Sequence, residues 1–454
     1  MADQIVTAAT CDAGPPAESR DGVFANRDFV KLWAGETVSL IGTQVTQFAM
    51  PLVAILTLNA TVFEVGVLNA LRFVPVIVVS LFAGVWLDRR RRRPVLVACA
   101  LGSAVLIGLV PLSSATGWLS IGLLLVVTTL AGALAVIFDV GALSYVPFLV
   151  ERRHLPESNS KLQASFAVSG IAGPGLAGLL IGLITAPITL SVDAVSYLFS
   201  ALGLIAISKP EPEPEVPAER PSIWRSIAEG FYAVYGSRLL RILLSQSAML
   251  NVGFGAVSTI FTVYAVRVLG LSPAELGIVI AGLAAGALFG ALFATRIRSA
   301  LGLGRALAVS IIGVSASPLL LLVPRGATPV AIAVLFAGWL GHGCGISIWN
   351  VNTITLRQAL TPMRVLARMN ATYRMLLFGA LPAGAIAAGL LGSAVGLRST
   401  LVISVIVLLS PVGWLFFSPV FRLTEMPLGP LSAPQDTPVG TSPDNSDASK
   451  DGYN

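Results

Sequence analysis

The sequence predicts an all-α membrane protein: twelve transmembrane helices in two six-helix bundles related by a parallel repeat. Three observations carry this. Of the 454 residues, 55% are hydrophobic and 11% charged, with a mean hydropathy of +0.84. A soluble domain carries about a quarter charged residues, so a soluble enzyme of this size is excluded. Long runs without Asp, Glu, Lys or Arg cover 37–63, 94–138, 162–192, 242–266, 326–356, 375–397 and 399–421. The two halves of the chain also align at one constant offset of 211 residues.

The spans follow in chain order. At about 20 residues per crossing, the 94–138 run is too long for one helix, and the cluster Pro111-Leu-Ser-Ser-Ala-Thr-Gly117 divides it. Thr185-Ala-Pro187 divides the next run, whose second part continues past Asp193. The twelve expected spans are 30–58, 65–87, 94–113, 118–148, 162–185, 187–207, 240–266, 273–295, 305–323, 328–357, 370–392 and 396–418. Residues 1–26 read as a disordered N-terminus, 27–207 as the first bundle, 239–421 as the second and 422–454 as a disordered tail. Between the bundles, 208–238 holds a Pro/Glu linker followed by Trp224, Ile227, Phe231 and Tyr235 at helical spacing. Those four suggest a short helix on the membrane surface or an extension of the seventh span.

The repeat pairs Glu64-Val-Gly66 with Glu275-Leu-Gly277, Gly102 with Gly313, Arg153 and Asn159 with Arg364 and Asn370, and Gly178-Leu-Leu180 with Gly389-Leu-Leu391. Six crossings per half is an even number, so both halves traverse the membrane in the same sense. Orientation follows from cations: 25 of the 29 Lys and Arg fall on one side, against Arg267, Arg325 and Arg398 on the other and Arg72 within the second span. The positive-inside rule then places both termini in the cytoplasm of a bacterial cell. The first apolar segment, about 30 residues long, is too long for the roughly 7–15-residue core of a cleaved secretory signal. Cys11, Cys99 and Cys344 lie far apart, and His154 and His342 are the two histidines, so neither a disulfide framework nor a metal site is expected. His342 reads as a packing residue. No phosphate loop or catalytic triad is visible. The chain is expected to be no enzyme, to need no cofactor or metal, and to bind no nucleic acid.

Two motifs stand out. Gly84-Val-Trp-Leu-Asp88-Arg89-Arg-Arg-Arg92-Arg93 joins the second and third spans. A positive-inside retention signal would need the arginines but not Asp88. In the fifth span, Ser169-Gly170-Ile-Ala-Gly173-Pro174-Gly-Leu-Ala-Gly178 combines small residues, which let helices approach closely, with a proline that removes a backbone hydrogen bond. The first motif resembles the loop signature of the major facilitator superfamily, with Arg91 where that family usually has Gly. The second resembles the Gly-Pro signature of its drug/proton antiporters. Phe138-Asp139 through Leu162, Asp193-Ala-Val-Ser-Tyr197 and Arg225 to Arg241 resemble the macrolide-efflux and enterobactin-exporter branch. The resemblance covers about residues 27–418. It implies a proton-driven exporter of a drug-like or secondary-metabolite small molecule, with Gly84, Asp88, Arg89 and Arg92 as a gate between the inner ends of the bundles. An importer or lipid translocator on the same scaffold is the alternative, and a non-transporting membrane sensor a further one. The expected partners are a small-molecule substrate, protons and the lipid bilayer, with the protein acting as a monomer.

Polar residues inside spans mark the expected cavity: Gln44 and Gln47 in the first, Gln246 and Asn251 in the seventh, Asn350 in the tenth. Asp139 stands 13 residues before Arg152, roughly 20 Å from the inner end of its helix. A lone ionised carboxylate at that depth costs a few kcal/mol, so it must be protonated, paired or facing water. Arg72 lies at similar depth and is the expected partner, in a pair that opens during the cycle. Glu36 and Asp193 are further candidate proton sites.

Overall fold

The computed structural model describes residues 22–87, 89–211 and 223–414. Among the described residues the chain forms thirteen α-helices and no strand. The first bundle holds α1 (Arg27–Leu52), α2 (Val62–Leu87), α3 (Arg92–Ala115), α4 (Ile121–Leu149), α5 (Leu155–Ile184) and α6 (Ala186–Ile205). A surface helix, α7 (Ile223–Gly236), precedes the second bundle of α8 (Arg238–Arg267), α9 (Pro273–Leu301), α10 (Leu303–Ala316), α11 (Pro329–Leu360), α12 (Met363–Val395) and α13 (Leu397–Gly413). Eleven of these helices are long and apolar enough to cross a membrane. The seventeen residues of α13 form a shorter apolar helix, about 25 Å long, at the position of the twelfth expected span.

The repeat is written into the helix starts. Adding 211 to the first residues of α1, α2, α3 and α6 gives the first residues of α8, α9, α10 and α13. Local chemistry explains the coincidence. Thr61 and Glu64 cap α2 reciprocally, Glu64 Oε2 accepting from the Thr61 amide at 2.6 Å and Thr61 Oγ1 from the Glu64 amide at 3.2 Å. Their mates Ser272 and Glu275 form the same capping box on α9. The break between α5 and α6 turns on Thr185 at φ 109°, and its mate Gly396 breaks α12 from α13 at φ 84°.

Within the first bundle α1 packs on α5 and α6, α3 on α4 and α6, and α2 on α4; in the second, α8 packs on α12 and α13, α9 on α11, and α10 on α11 and α13. Two seams join the bundles, α2 against α12 and α5 against α9.

Several boundaries differ from expectation. Residues 22–26 are built into the fold: Val23 is buried, its amide donates to Glu157 Oε2 at 3.0 Å, and Asn26 caps α1 by accepting from the Asp28 and Phe29 amides. The fifth crossing begins at Leu155 rather than 162, because Pro156 sits in the first turn, where it costs no hydrogen bond. The surface helix is separate from α8, broken at the Ser237 cap, and it packs on α12 through a Glu229–Arg368 ion pair. The expected disorder of 1–21 and 422–454, and most of the Pro/Glu linker, lie outside the described residues.

Candidate functional site

Close approach of the two bundles is concentrated at the end opposite the linker. On the α2–α12 seam, a Cβ on Gly66 would stand 2.8 Å from the Ala385 carbonyl oxygen and 3.0 Å from Gly389 Cα. On the α5–α9 seam, a Cβ on Gly178 would collide with Pro273 and Ala274, and one on Gly277 with the Pro174 carbonyl. Gly66 and Gly277 are repeat mates, as are Gly178 and Gly389, so each seam is the other's copy. Two hydrogen bonds reinforce this end: Asn69 Nδ2 to Thr259 Oγ1 at 3.2 Å, and Arg267 Nη2 to the Ala60 carbonyl at 2.6 Å.

Toward the linker end three charged side chains share one depth. Glu36 lies nine residues into α1, Asp139 ten residues before the end of α4, and Arg374 eleven residues into α12, each about 14–17 Å from its helix terminus. Asp139 and Arg374 are exposed and Glu36 is half-buried with Oε2 sealed and unpartnered. The charges of Glu36 and Arg374 both reach Asp139. Asp139 and Arg374 thus stand exposed at one level on α4 and α12, the two helices that pack on α2 from the first and second bundles. Tyr197 on α6, whose hydroxyl meets Thr43 Oγ1 at 3.0 Å, also lies within reach of Asp139.

The expected Arg72–Asp139 pair is not formed in this conformation. The Arg72 guanidinium sits 5.3 Å over the Phe73 ring, while Arg374 from the opposite bundle is the cation facing Asp139. Arg374 escaped the sequence reading because the charge-free run begins at 375, which made it look like a flank. The missed signal was the helical pattern N-terminal to it, since α12 starts at Met363.

The remaining candidates divide. Gln44 and Gln47 are half-buried, and Gln44 lies where a Cβ on Gly173 would strike it, so the Gly170-to-Gly178 motif packs α5 on α1 as well as on α9. Asn350 is exposed, and Asn251 donates to the Ser247 carbonyl of its own helix at 2.8 Å. Gln246 is no cavity residue: it is fully buried inside the second bundle with both side-chain polar atoms unpartnered. Asp193 is buried between α1 and α6, with Ser196 Oγ at 3.1 Å from Oδ1, and does not face the cavity. His342 packs as expected, its Nδ1 at 2.8 Å from the Val314 carbonyl and its ring stacked on Phe254.

In the loop motif, Asp88 lies outside the described residues, and Gly84 falls within α2. Arg89 and Arg90 are exposed. Arg91 adopts φ −63°, ψ 127°, whereas its mate Gly302 takes φ 77°, so the two copies of this turn differ where Arg replaces Gly. The Arg92 and Arg93 amides donate to the Glu211 carboxylate at 2.7 and 3.0 Å, which ties the start of the linker to the N-terminus of α3.

A family model described as transmembrane secretion effector matches residues 21–438. The multidrug efflux pump Tap of Mycolicibacterium fortuitum is 27% identical over 85% of this chain and 94% of its own. Macrolide efflux protein A of Streptococcus pyogenes is 21% identical over 58% of this chain and 65% of its own. The MFS-type transporter y4rN of Sinorhizobium fredii is 26% identical over 44% of this chain, and that match spans 48% of y4rN. Among solved structures, a mutant of the nucleoside transporter NupG matches with a TM-score of 0.73 at 12% identity, covering 86% of this chain and 99% of its own. A bacterial homologue of the iron transporter ferroportin in an inward-facing state matches with 0.68 at 17%, covering 87% and 99%.

Proposed function

Because the chain belongs to the transmembrane secretion effector family of the major facilitator superfamily, we propose that it exports a drug-like or secondary-metabolite small molecule in exchange for protons. The cavity between its bundles would open alternately to either side of a bacterial cytoplasmic membrane, the linker end facing the cytoplasm, with the protein working as a monomer. The observation that carries this reading is the pair of acids at one depth of the first bundle, Glu36 half-buried with an unpartnered carboxylate oxygen and Asp139 exposed. Two carboxylates in each other's field are relieved either by a proton or by a cationic or hydrogen-bonding substrate, so the two ligands compete for one place. That competition is the minimum an antiporter needs: the substrate leaves when the proton arrives.

The rest of the cavity supports a loose, amphiphilic fit. Gln44 and Gln47 on α1 and Asn350 on α11 offer directing hydrogen bonds among apolar walls, the composition that binds varied small molecules by burial. Export, rather than uptake, is supported by the names of Tap and macrolide efflux protein A. The paired glycine seams supply a hinge for alternating access, since packed interfaces of this kind switch between discrete arrangements. The test is efflux of a panel of amphiphilic compounds from an exporter-deficient host expressing this chain. At least one compound should leave faster than from the empty host, and a protonophore should abolish the difference. Efflux that survives the protonophore would remove the proton from the scheme.

A further inference from the structure

The second bundle is short of acids. From Arg238 to Gly413 the chain carries twelve arginines and one carboxylate, Glu275, which caps α9 at the end away from the linker. The acid of the surface helix, Glu229, pairs with Arg368. Arg357 of α11 nonetheless lies inside this bundle, three residues before the helix end and only 7% exposed. An arginine so near a helix end ordinarily runs its head group out to the interface. Here, among the described residues, Nε and Nη1 are buried without a hydrogen-bond partner. The buried hydroxyl of Thr361, four residues further on, has none either.

The surroundings of Arg357 hold it in place. Its guanidinium carbon lies 3.9 Å from the centre of the Tyr373 ring of α12. That ring is fixed from behind: its hydroxyl meets Ser247 Oγ of α8 at 3.2 Å, and Ser247 Oγ accepts from Trp349 Nε1 at 3.2 Å. A ring attracts a cation through its face and leaves the in-plane N–H groups free. The edge of the guanidinium therefore stays unspent. The repeat shows that the fold does not require this arrangement. Subtracting 211 from Arg357, Thr361 and Tyr373 gives Val146, Val150 and Leu162, which belong to one apolar cluster of the first bundle. One half fills this corner with hydrocarbon, the other with a cation, a hydroxyl and a phenol.

A buried charge is stable where it is paired and hydrogen-bonded, and no acid within this bundle stands near enough in the fold to serve. We propose that Arg357, with Thr361 Oγ1 as a second donor and the Tyr373 ring as its support, binds a halide-sized anion, chloride, inside the linker-end half of the second bundle. The ring covers one face of the guanidinium, so the anion takes the edge. Three unspent donors, Nε, Nη1 and Thr361 Oγ1, match a single-atom anion, whereas a phosphate would bring four oxygens to them. The small opening at Arg357 excludes a lipid headgroup or a drug-sized cargo. The site is independent of the transport reading above: it concerns what neutralises the bundle, whatever the cargo.

The experiment titrates sodium chloride into purified protein in sodium gluconate at constant ionic strength, gluconate being too large for the site, and reads the thermal unfolding midpoint. The native midpoint should rise saturably, by about 5 °C at a hundred times the dissociation constant. In gluconate alone Arg357→Met should be at least as stable as the native protein, because it removes a buried charge that has no counterion there. In chloride the order should reverse. Arg398→Gln, at an exposed arginine of α13, should keep the native response. A native midpoint indifferent to chloride, or one that answers to sodium phosphate and not to chloride, would overturn the site. An Arg357→Met protein that keeps the full chloride response would overturn it too. If Arg357→Met does not fold, bromide in crystals of the native protein decides: an anomalous peak beside the Arg357 guanidinium is expected, and a crystal without one contradicts the proposal.

Discussion

Replacing Gly66 by Ala should turn the cavity around. A Cβ at that position would stand 2.8 Å from the Ala385 oxygen and 3.0 Å from Gly389 Cα, against the roughly 3.5–4.0 Å of an unstrained contact. Both neighbours are backbone, so no side chain can swing away; the α2–α12 seam must part by about 0.5–1 Å. Overpacking of this kind costs about 1–3 kcal/mol. The strain acts in the far-end-closed conformation, because the opposite conformation separates the two helices there. At a factor of ten per 1.4 kcal/mol, the ratio of the two conformations should shift about 5- to 150-fold toward the far-end-open state. Spin labels at Thr116 and Ala327, in the far-end loops of the first and second bundles, would read the shift as a longer distance. Gly277→Ala, the repeat mate on the other seam, should act in the same direction. Gly182→Ala, with nothing within 4 Å of the new methyl group, should be silent. A Gly66→Ala protein with the native far-end distance would refute the assignment of the glycine seams as the moving contact.

Four further outcomes are expected. Asp88→Asn should leave insertion intact, since five arginines still set topology, and should impair transport; full efflux at normal expression would remove the gate role of the loop. Reporter fusions after Pro217 and at Asn454 should lie in the cytoplasm and those at Gly117 and Gly326 outside, and reversal at either cytoplasmic position would overturn the crossing count. Thr185 occupies φ 109°, ψ 156°, a region essentially reserved for Gly; Thr185→Gly should stabilise the protein by about 1 kcal/mol, and a lower thermal midpoint would contradict the strain. Asp139→Asn should abolish efflux against a gradient while leaving substrate exchange measurable, and uphill efflux by the variant would place coupling elsewhere.

Most of the fold was legible because it rests on local rules that repeat. The offset that aligned Glu64 with Glu275 was reading two capping boxes, and the one that aligned Gly66 with Gly277 and Gly178 with Gly389 was reading the two seams before either was known to be a seam. The division near Thr185-Ala-Pro187 was visible, although the turn itself falls on Thr185 and not on the proline. What stayed hidden depends on rotation about a helix axis. The crossings are apolar on every side, so the sequence offers little phase: Gln246 looked like a cavity residue and Asp193 like a proton site, and both are buried inside their bundles. Arg374 was lost for another reason, because a cation near the end of a charge-free run reads as an anchor until the true start of its helix is known. Val23 was hidden by its polar surroundings, which gave no hint that Glu157, 134 residues away, would receive its amide.

The central claim, proton-driven export through the acids at Glu36 and Asp139, is tested most directly in inside-out membrane vesicles. A compound identified by the efflux panel would be added outside, and its accumulation followed as an inward-acid proton gradient is imposed and then collapsed. The native protein should accumulate the compound only while the gradient lasts, and the Asp139→Asn protein should only equilibrate it. Accumulation that persists after the gradient is collapsed, or that the Asp139→Asn protein reproduces in full, would contradict the account.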